Sequence, residues 1–352
     1  MDEKKLDALR KRFGAGTPDE IQTPRFREAY DVLFAGGSRK KPWEGVSTFL
    51  DLPLLEAAPD SAAFAELDVA LIGVPMDLGV TNRPGARFGP RAVRAIERIG
   101  PYHHTHGCVP QGLVNAADIG DVPMQSRYDL EACHSDIRSY FDGVVDSGTL
   151  PLSVGGDHSI TQSIMGALGR DEPLGMIHID AHCDTAPPLE GSKFQHGGPF
   201  RQAVLEGVLD PERCIQIGIR GPAEFLWEFS YASGMTVVHA EDVLHDGLQR
   251  TIDTMLDVVG DGPTYITFDV DGLDPVFAPG TGTPEVGGLQ TREAAEIIRA
   301  AASCNLVGGD VVEVAPEYDS TTNTAQAGAQ MLFEIFAVLA IANSAATNPS
   351  IS

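Results

Sequence analysis

The sequence predicts an α/β fold built on a parallel sheet, and three observations carry that expectation. Apolar runs of strand length recur from Asp68 onward, helical patterns separate them, and the runs are near-continuously apolar instead of alternating. Strands that are apolar on both faces need cover on both faces, the condition of a parallel sheet lying between helices.

The elements follow an N-terminal segment, residues 1–66, which Pro and Gly interrupt (Gly14, Pro18, Pro24, Gly36, Gly37, Pro42). It carries a Lys-Lys pair at 40–41 that reads as a solvated loop and ends in an extended-looking stretch over 46–53. We take it as an extension packed on the core, with residues 67–352 as one domain, since α/β folds of this length are often undivided. Strands are expected at 69–74, 113–117, 150–154, 175–179, 214–219, 236–238, 265–270 and 307–314. Helical patterns lie at 91–98, 129–145, 202–207, 242–259 and 292–302, and a final apolar helix at about 325–345. Periodicity does not separate a closed barrel from an open doubly wound sheet.

Composition narrows the function. The 352 residues are 43% hydrophobic, ample for a large core, with no repeat and no low-complexity tract. No apolar run reaches membrane-spanning length, and the charged N-terminus lacks the apolar stretch of a signal peptide, so a cytoplasmic protein is expected. Five cysteines (Cys108, Cys133, Cys183, Cys214, Cys304) lie far apart and never in C-x-x-C spacing, against a disulfide framework or structural zinc. The formal net charge of -25 argues against nucleic acid or anionic membrane as partner. It reads first as a soluble surface, because screening over roughly 8 Å separates most of it from any one site.

In either sheet architecture the chemistry belongs at the C-terminal strand ends. That rule selects His158 after the third strand, Asp180, His182 and Asp184 after the fourth, and Asp269 and Asp271 closing the seventh. Alternate residues of an extended strand end point the same way, so D-x-H-x-D and D-x-D each converge. Alone, either motif is a weak signal, since such acids also cap helices and turns. Together they make four carboxylates and two imidazoles, which would repel strongly in a cleft unless cations neutralised them. Two divalent metal ions meet that need, and the absence of thiolates favours Mn-, Ni- or Fe-like ions.

Three longer signatures contain these residues: Val154-Gly-Gly-Asp-His-Ser159, Ile177-His-Ile-Asp-Ala-His-Cys-Asp184 and Thr267-Phe-Asp-Val-Asp-Gly-Leu-Asp-Pro275, followed by Pro279-Gly280 and Gly287-Gly288. With them the chain resembles the ureohydrolase (arginase/agmatinase) family, from about Asp68 to the last helix. The resemblance implies an open three-layer α/β/α arginase-type fold with an eight-stranded parallel sheet, and makes residues 67–352 the catalytic domain. It implies two ions, Mn²⁺ foremost and Ni²⁺ as alternative, with His158 and Asp184 on one, His182 and Asp271 on the other, and Asp180 and Asp269 bridging. It implies hydrolysis of a small cationic guanidino substrate to urea and an amine or ammonia. A metal pair lowers the pKa of a bridging water toward roughly 7 and so supplies the hydroxide that this poor electrophile requires.

By the same resemblance Asp184 carries a proton to the leaving nitrogen and His196, in Phe194-Gln-His-Gly-Gly-Pro-Phe200, is a proton shuttle. Glu293 is the glutamate that pairs with the guanidinium, and Thr283 lines the pocket floor. Homotrimers or homohexamers are implied, with a mixed oligomer as alternative. Cys183 stands where relatives usually carry threonine and reads as packing, with oxidation sensitivity as the sharper alternative. Gly-Gly after His196, in place of the Gly-Thr of agmatinases, weakens agmatine as substrate slightly. The loop 185–195 lacks the Asn/Ser/Thr-rich character of arginases, which points to the agmatinase-like branch. Guanidinobutyrate, agmatine, guanidinopropionate, guanidine, or an alkylated guanidine or biguanide such as metformin then remain open as substrates. Lys193 is placed either to meet a substrate carboxylate or to face water. The loop 83–90 covers the entrance, and Tyr102-His-His-Thr-His106 reads as a mouth loop or subunit contact rather than a further metal site, because consecutive extended residues do not converge. A non-catalytic partner subunit and a formiminoglutamase-like amidine hydrolase are the competing readings.

Overall fold

The computed structural model describes residues 1–35, 41, 43–97 and 99–347. Eight strands, β1 (Val69–Val74), β2 (Ala116–Asp121), β3 (Leu150–Gly155), β4 (Leu174–Ile179), β5 (Leu209–Ile219), β6 (Thr236–His239), β7 (Thr264–Asp269) and β8 (Leu306–Val312), form one sheet in the order β2-β1-β3-β8-β7-β4-β5-β6. Every neighbouring pair is parallel. β2 and β6 stand at opposite edges, so the sheet is open and the barrel alternative falls.

Successive strand residues face opposite helical layers, as the pleat requires. Leu71 and Ile177 pack with Met255, Ile297 and Leu332 from the helices Leu248–Val259, Thr291–Ala300 and Asn323–Thr347. Their neighbours Ile72 and Met176 pack with Ile137, Ile164 and Ala203 from the helices Leu130–Asp146, Ile160–Leu168 and Pro199–Leu205. The result is the expected three-layer arrangement.

Several expectations need correction. The helical pattern over 242–259 is two helices, Ala240–Asp246 and Leu248–Val259, because Gly247 between them takes φ 91. The nine-residue helix Ile160–Leu168 escaped sequence reading, and Ile160 through Ala167, polar residues included, are all buried. The strand expected at 113–117 starts only at Ala116. The helix expected at 91–98 is Gly89–Arg94, and Arg98 lies outside the described residues. Asn323–Ala345, most of the last helix, is long and apolar enough to cross a bilayer on length and composition, against the reading that no such run exists. Most of it is buried in the core, with Ile335, Phe336 and Leu339 wholly enclosed.

The N-terminal segment holds two helices, Glu3–Phe13 and Pro24–Leu33, neither with a buried residue. It meets the core through Phe49, Leu50 and Leu52. The Phe49 backbone N–H donates to Asp118 at 2.9 Å. The extended stretch expected over 46–53 is interrupted by a 3-10 turn, Phe49–Asp51, with Leu50 and Asp51 at φ 55 and 57. Gly36, Gly37, Lys40 and Pro42 lie outside the described residues, while Lys41 pairs with Glu44 at 2.8 Å.

Candidate active site

The four central strands β3, β8, β7 and β4 deliver their C-terminal ends to one place. His158 arrives through Gly155-Gly156, where a Cβ on Gly156 would lie 2.0 Å from the Met76 carbonyl oxygen, so only glycine lets the loops after β1 and β3 pack together. Asp180 follows β4 directly, Asp269 ends β7, and Asp271 sits in the 3-10 turn Val270–Gly272. Backbone donors orient the acids: Asp271 N to Asp269 Oδ1 at 2.8 Å, His182 N to Asp180 Oδ1 at 2.6 Å, Ala181 N to Asp271 Oδ1 at 3.2 Å.

One ring shows what the cluster lacks. The Thr267 hydroxyl donates to Asp310 Oδ1 at 2.6 Å, so its oxygen must accept from His158 Nε2–H at 2.8 Å. That leaves Nδ1 as a bare lone pair, buried and without a hydrogen-bond partner. Around it stand Asp184 Oδ2 at 3.0 Å, Asp180 Oδ2 at 3.1 Å and Asp269 Oδ2 at 3.3 Å. Only a proton or a metal cation at this point reconciles a lone pair with three carboxylates. His182 Nδ1 occupies the like position opposite, 3.2 Å from Asp271 Oδ2 and 3.4 Å from Asp180 Oδ1. Burial, Asp271 and Asp180 drive the Asp269 pKa well above the carboxylate range. Burial raises that of Asp271 to about 6, against the pull of His182. The chain alone therefore does not keep all four aspartates ionised.

Two residues that sequence reading passed over complete the arrangement. The Gln216 amide donates to His178 Nδ1 at 3.1 Å, so His178 donates its Nε2–H to Asp180 Oδ2 at 2.7 Å. With both nitrogens engaged, His178 orients Asp180 and is not itself a ligand. Its place inside the second signature was the available signal. Glu313, at φ 64 just past β8, is 1% exposed; its Oε1 accepts from His158 N at 2.9 Å and His196 Nδ1 at 2.8 Å, and its Oε2 is buried without a partner. The strand-end rule, applied to β8 as to the others, points straight at it.

His196 lies beside Thr81, whose backbone N–H donates to Nε2 at 3.1 Å and whose hydroxyl is 2.7 Å away. Burial opposes charge on His196, but Glu313, Asp157 and Asp184 push its pKa up to about 9. Thr283 donates to Asp271 Oδ2 at 3.1 Å. A cavity of about 530 Å³ opens above, lined on its inner side by His182, Asp184, His196, Asp269, Thr283 and Glu285. Neither Glu313 nor Glu293 is in that lining: Glu313 lies directly against His196, which is, whereas Glu293 is engaged by its own helix. Its Oε2 accepts from Gln290 N at 2.9 Å and closes a capping box at the start of Thr291–Ala300, so its part as guanidinium partner is corrected here: the first-turn position serves the helix.

Other expected positions also resolve. Lys193 does not line the cavity; it sits 3.6 Å from Glu206 and over the Phe194 ring. In the entrance loop, Arg83 donates to the Gly282 carbonyl at 3.1 Å, next to Thr283. His103 Nδ1 accepts from His106 N at 3.1 Å and its Nε2–H donates to Glu334 at 2.7 Å, while His104 is exposed, so 102–106 forms no metal site. Cys183 is buried, and burial pushes its thiol pKa up to about 12.

Comparison with known proteins agrees with this geometry. The arginase family model matches residues 67–337. A guanidinopropionase of Pseudomonas aeruginosa is 47% identical over 300 residues, 84% of this chain and 92% of that protein. A guanidinobutyrase of the same organism is 42% identical over 86% of this chain and 95% of its own. The solved proclavaminate amidino hydrolase from Streptomyces clavuligerus superposes with a TM-score of 0.79 at 34% identity, covering 86% of this chain and all of that one. On this extent of match the chain belongs to the arginase family, as an agmatinase-like ureohydrolase, an enzyme that hydrolyses C–N bonds of linear amidines.

Proposed function

We propose that the chain hydrolyses a guanidino compound to urea and an amine (or ammonia) at two divalent metal ions held by His158, Asp180, His182, Asp184, Asp269 and Asp271. The bare, buried Nδ1 of His158 among three carboxylates carries the reading. The nitrogen and oxygen donors suit Mn²⁺ and also Ni²⁺. His158 and Asp184 hold one ion, His182 and Asp271 the other. Asp180 turns Oδ2 toward His158 and Oδ1 toward His182, so it and Asp269 would be the carboxylates shared between the two ions. When bound, the two ions supply hydroxide at neutral pH.

The chain's own residues do the rest. Glu313, with Oε2 unpartnered, takes the N–H groups of the guanidinium in a charge-assisted pair. His196 Nε2 has a partner in either protonation state: neutral, it accepts from the Thr81 N–H, and protonated, it donates to the Thr81 hydroxyl. With its pKa pushed up by Glu313, it holds a proton ready for the leaving nitrogen. Asp184, on the cavity floor, is placed to pass a proton along the same path.

Urea release across guanidine, agmatine, guanidinobutyrate, guanidinopropionate and alkylated guanidines, combined with elemental analysis, tests the reading. Two ions per chain are expected. Asp269→Asn should hold fewer and lose at least about 1,000-fold in rate, the scale of several kcal/mol that a metal pair contributes. A protein that carries two ions yet releases urea from none of these compounds would sink it.

A further inference from the structure

The cavity has two unlike halves. Its inner half is the polar floor described above. Its outer half comes from the loops after β4 and β5 and is apolar: Pro188, Leu189, Pro222, Phe225, Leu226 and Trp227. Among the described residues Phe225 is 78% exposed and Leu189 51%, so two large apolar side chains stand at the rim, one mostly and one half open to solvent.

Among the described residues Arg220 is the one Lys or Arg that lines the cavity, and it is not available to a ligand. Nη1 donates to the carbonyls of Gly218 and Gly272, Nη2 to those of Asp271, Leu273 and Glu285, and Nε also to Glu285. The side chain holds strand-end backbone together and is 6% exposed in all. Lys193 points into a separate depression shared with His134 and Glu206. Apart from the aspartates of the floor, the acid lining the cavity is Glu285, a carboxylate 4.0 Å from His182. A substrate carboxylate at the end of a short chain would thus leave water, find no cation and approach a like charge, each of which weakens binding. An alkyl group in the same place gains about fourfold in affinity for each methylene it buries.

We propose that this cavity selects guanidines whose substituent is uncharged and apolar, N-alkylguanidines as a class, and discriminates against guanidino acids. The specificity-determining walls are 187–189 and 222–227. This rests on the guanidine-hydrolysing reading given above and adds its substrate class.

Three substrates of matched length isolate the end group: N-butylguanidine, 4-guanidinobutyrate and agmatine, which end in a methyl, a carboxylate and an ammonium. With the metal-loaded enzyme, kcat/KM from urea release should favour N-butylguanidine over 4-guanidinobutyrate at least about tenfold, mostly through KM. Equal or better turnover of either charged substrate overturns the proposal and leaves the ureohydrolase reading standing. Urea from none of the three, nor from guanidine, overturns both. Phe225→Arg, at a position too exposed to threaten folding, places a cation on the wall and should narrow the ratio at least about fivefold by lowering KM for the acid. A ratio that stays put shows that this wall does not set specificity.

Discussion

Two groups of buried histidine and acid residues in this chain have opposite electrostatic characters. Behind the loop 102–106, the single carboxylate of Glu334 takes two bonds from Arg299, at 2.9 and 2.7 Å, and a third from His103. Burial would raise its pKa, but His103 and Arg299 lower it to about 2. At the strand ends, four aspartates gather around His158 and His182, and among the described residues no Lys or Arg side chain bonds to any of their carboxylates; Arg220 reaches only the backbone carbonyl of Asp271. The first group contains its own counterion and is complete. The second is charged in excess of what the chain supplies, and that excess marks it as a place for cations from outside. A run such as His103-His104-Thr105-His106 looks more like a metal site in sequence, yet the partner that decides the matter, Glu334, stands far along the chain.

The same acid-to-amide change should act oppositely in the two groups. Glu334→Gln leaves the part-buried Arg299 with Glu296 as its remaining carboxylate partner and should cost about 1.5 kcal/mol of stability while urea release persists. Asp269→Asn, compared with wild type after both are stripped of metal, should gain about 1 kcal/mol, since it relieves like-charge repulsion that protonation has already partly removed. Thermal melts of both variants, with and without chelator, check the pair; a metal-free Asp269→Asn less stable than metal-free wild type would break the comparison. Their pH dependences should also oppose. Glu334 titrates near 2 when folded and about 4.3 when unfolded, so its contribution is present above pH 4.3 and fades as pH falls toward 2. Asp271 titrates near 6 in the metal-free fold and about 3.9 unfolded, so its contribution is present below pH 3.9 and is lost as pH rises through 6.

The legibility of the sequence divides along the same physical line. The strands were readable because burial on both faces leaves runs of apolar residues, and the strand-end acids because they interrupt those runs. His158, Asp180, His182, Asp184, Asp269 and Asp271 all needed only position relative to a strand. Ile160–Leu168 was passed over although Ile160, Ile164, Ala167 and Leu168 recur at helical spacing, and the break at Gly247 because one glycine in a strong helical pattern is a weak signal. Glu293 was assigned by resemblance, and Glu313 was passed over because it fell inside the strand expected at 307–314, which in fact ends at Val312. Only the sheet order, which sets β8 between β3 and β7, brings Glu313 to the center and leaves Glu293 on a helix.

That distinction is testable within one family of substitutions. Glu313→Gln removes the charge facing the guanidinium and the acceptor that holds the His196 proton, so kcat/KM should fall about 100-fold with the ions retained. Glu293→Gln keeps a side chain able to cap, and the related Glu293→Ala should cost about 1 kcal/mol in a melt with kcat unchanged. Loss of turnover in Glu293→Ala with normal stability would return the guanidinium to that residue.

The smallest effect belongs to Cys183, which lies between two of the acids, Asp184 and His182-flanked Asp180, and whose backbone carbonyl is tied down by Gln216. Its thiol is 3% exposed and, with a pKa near 12, is ionised in about one molecule in 10,000 at pH 8. Thiolate is the species that alkylating and oxidising reagents attack, so native protein should lose no activity to iodoacetamide while unfolded protein labels at Cys183 readily. Cys183→Ser, similar in size, should keep kcat/KM within about twofold. Rapid labelling of Cys183 in the native protein, with activity lost in step, would instead make the cluster sensitive to oxidation through the one soft atom beside its ligands.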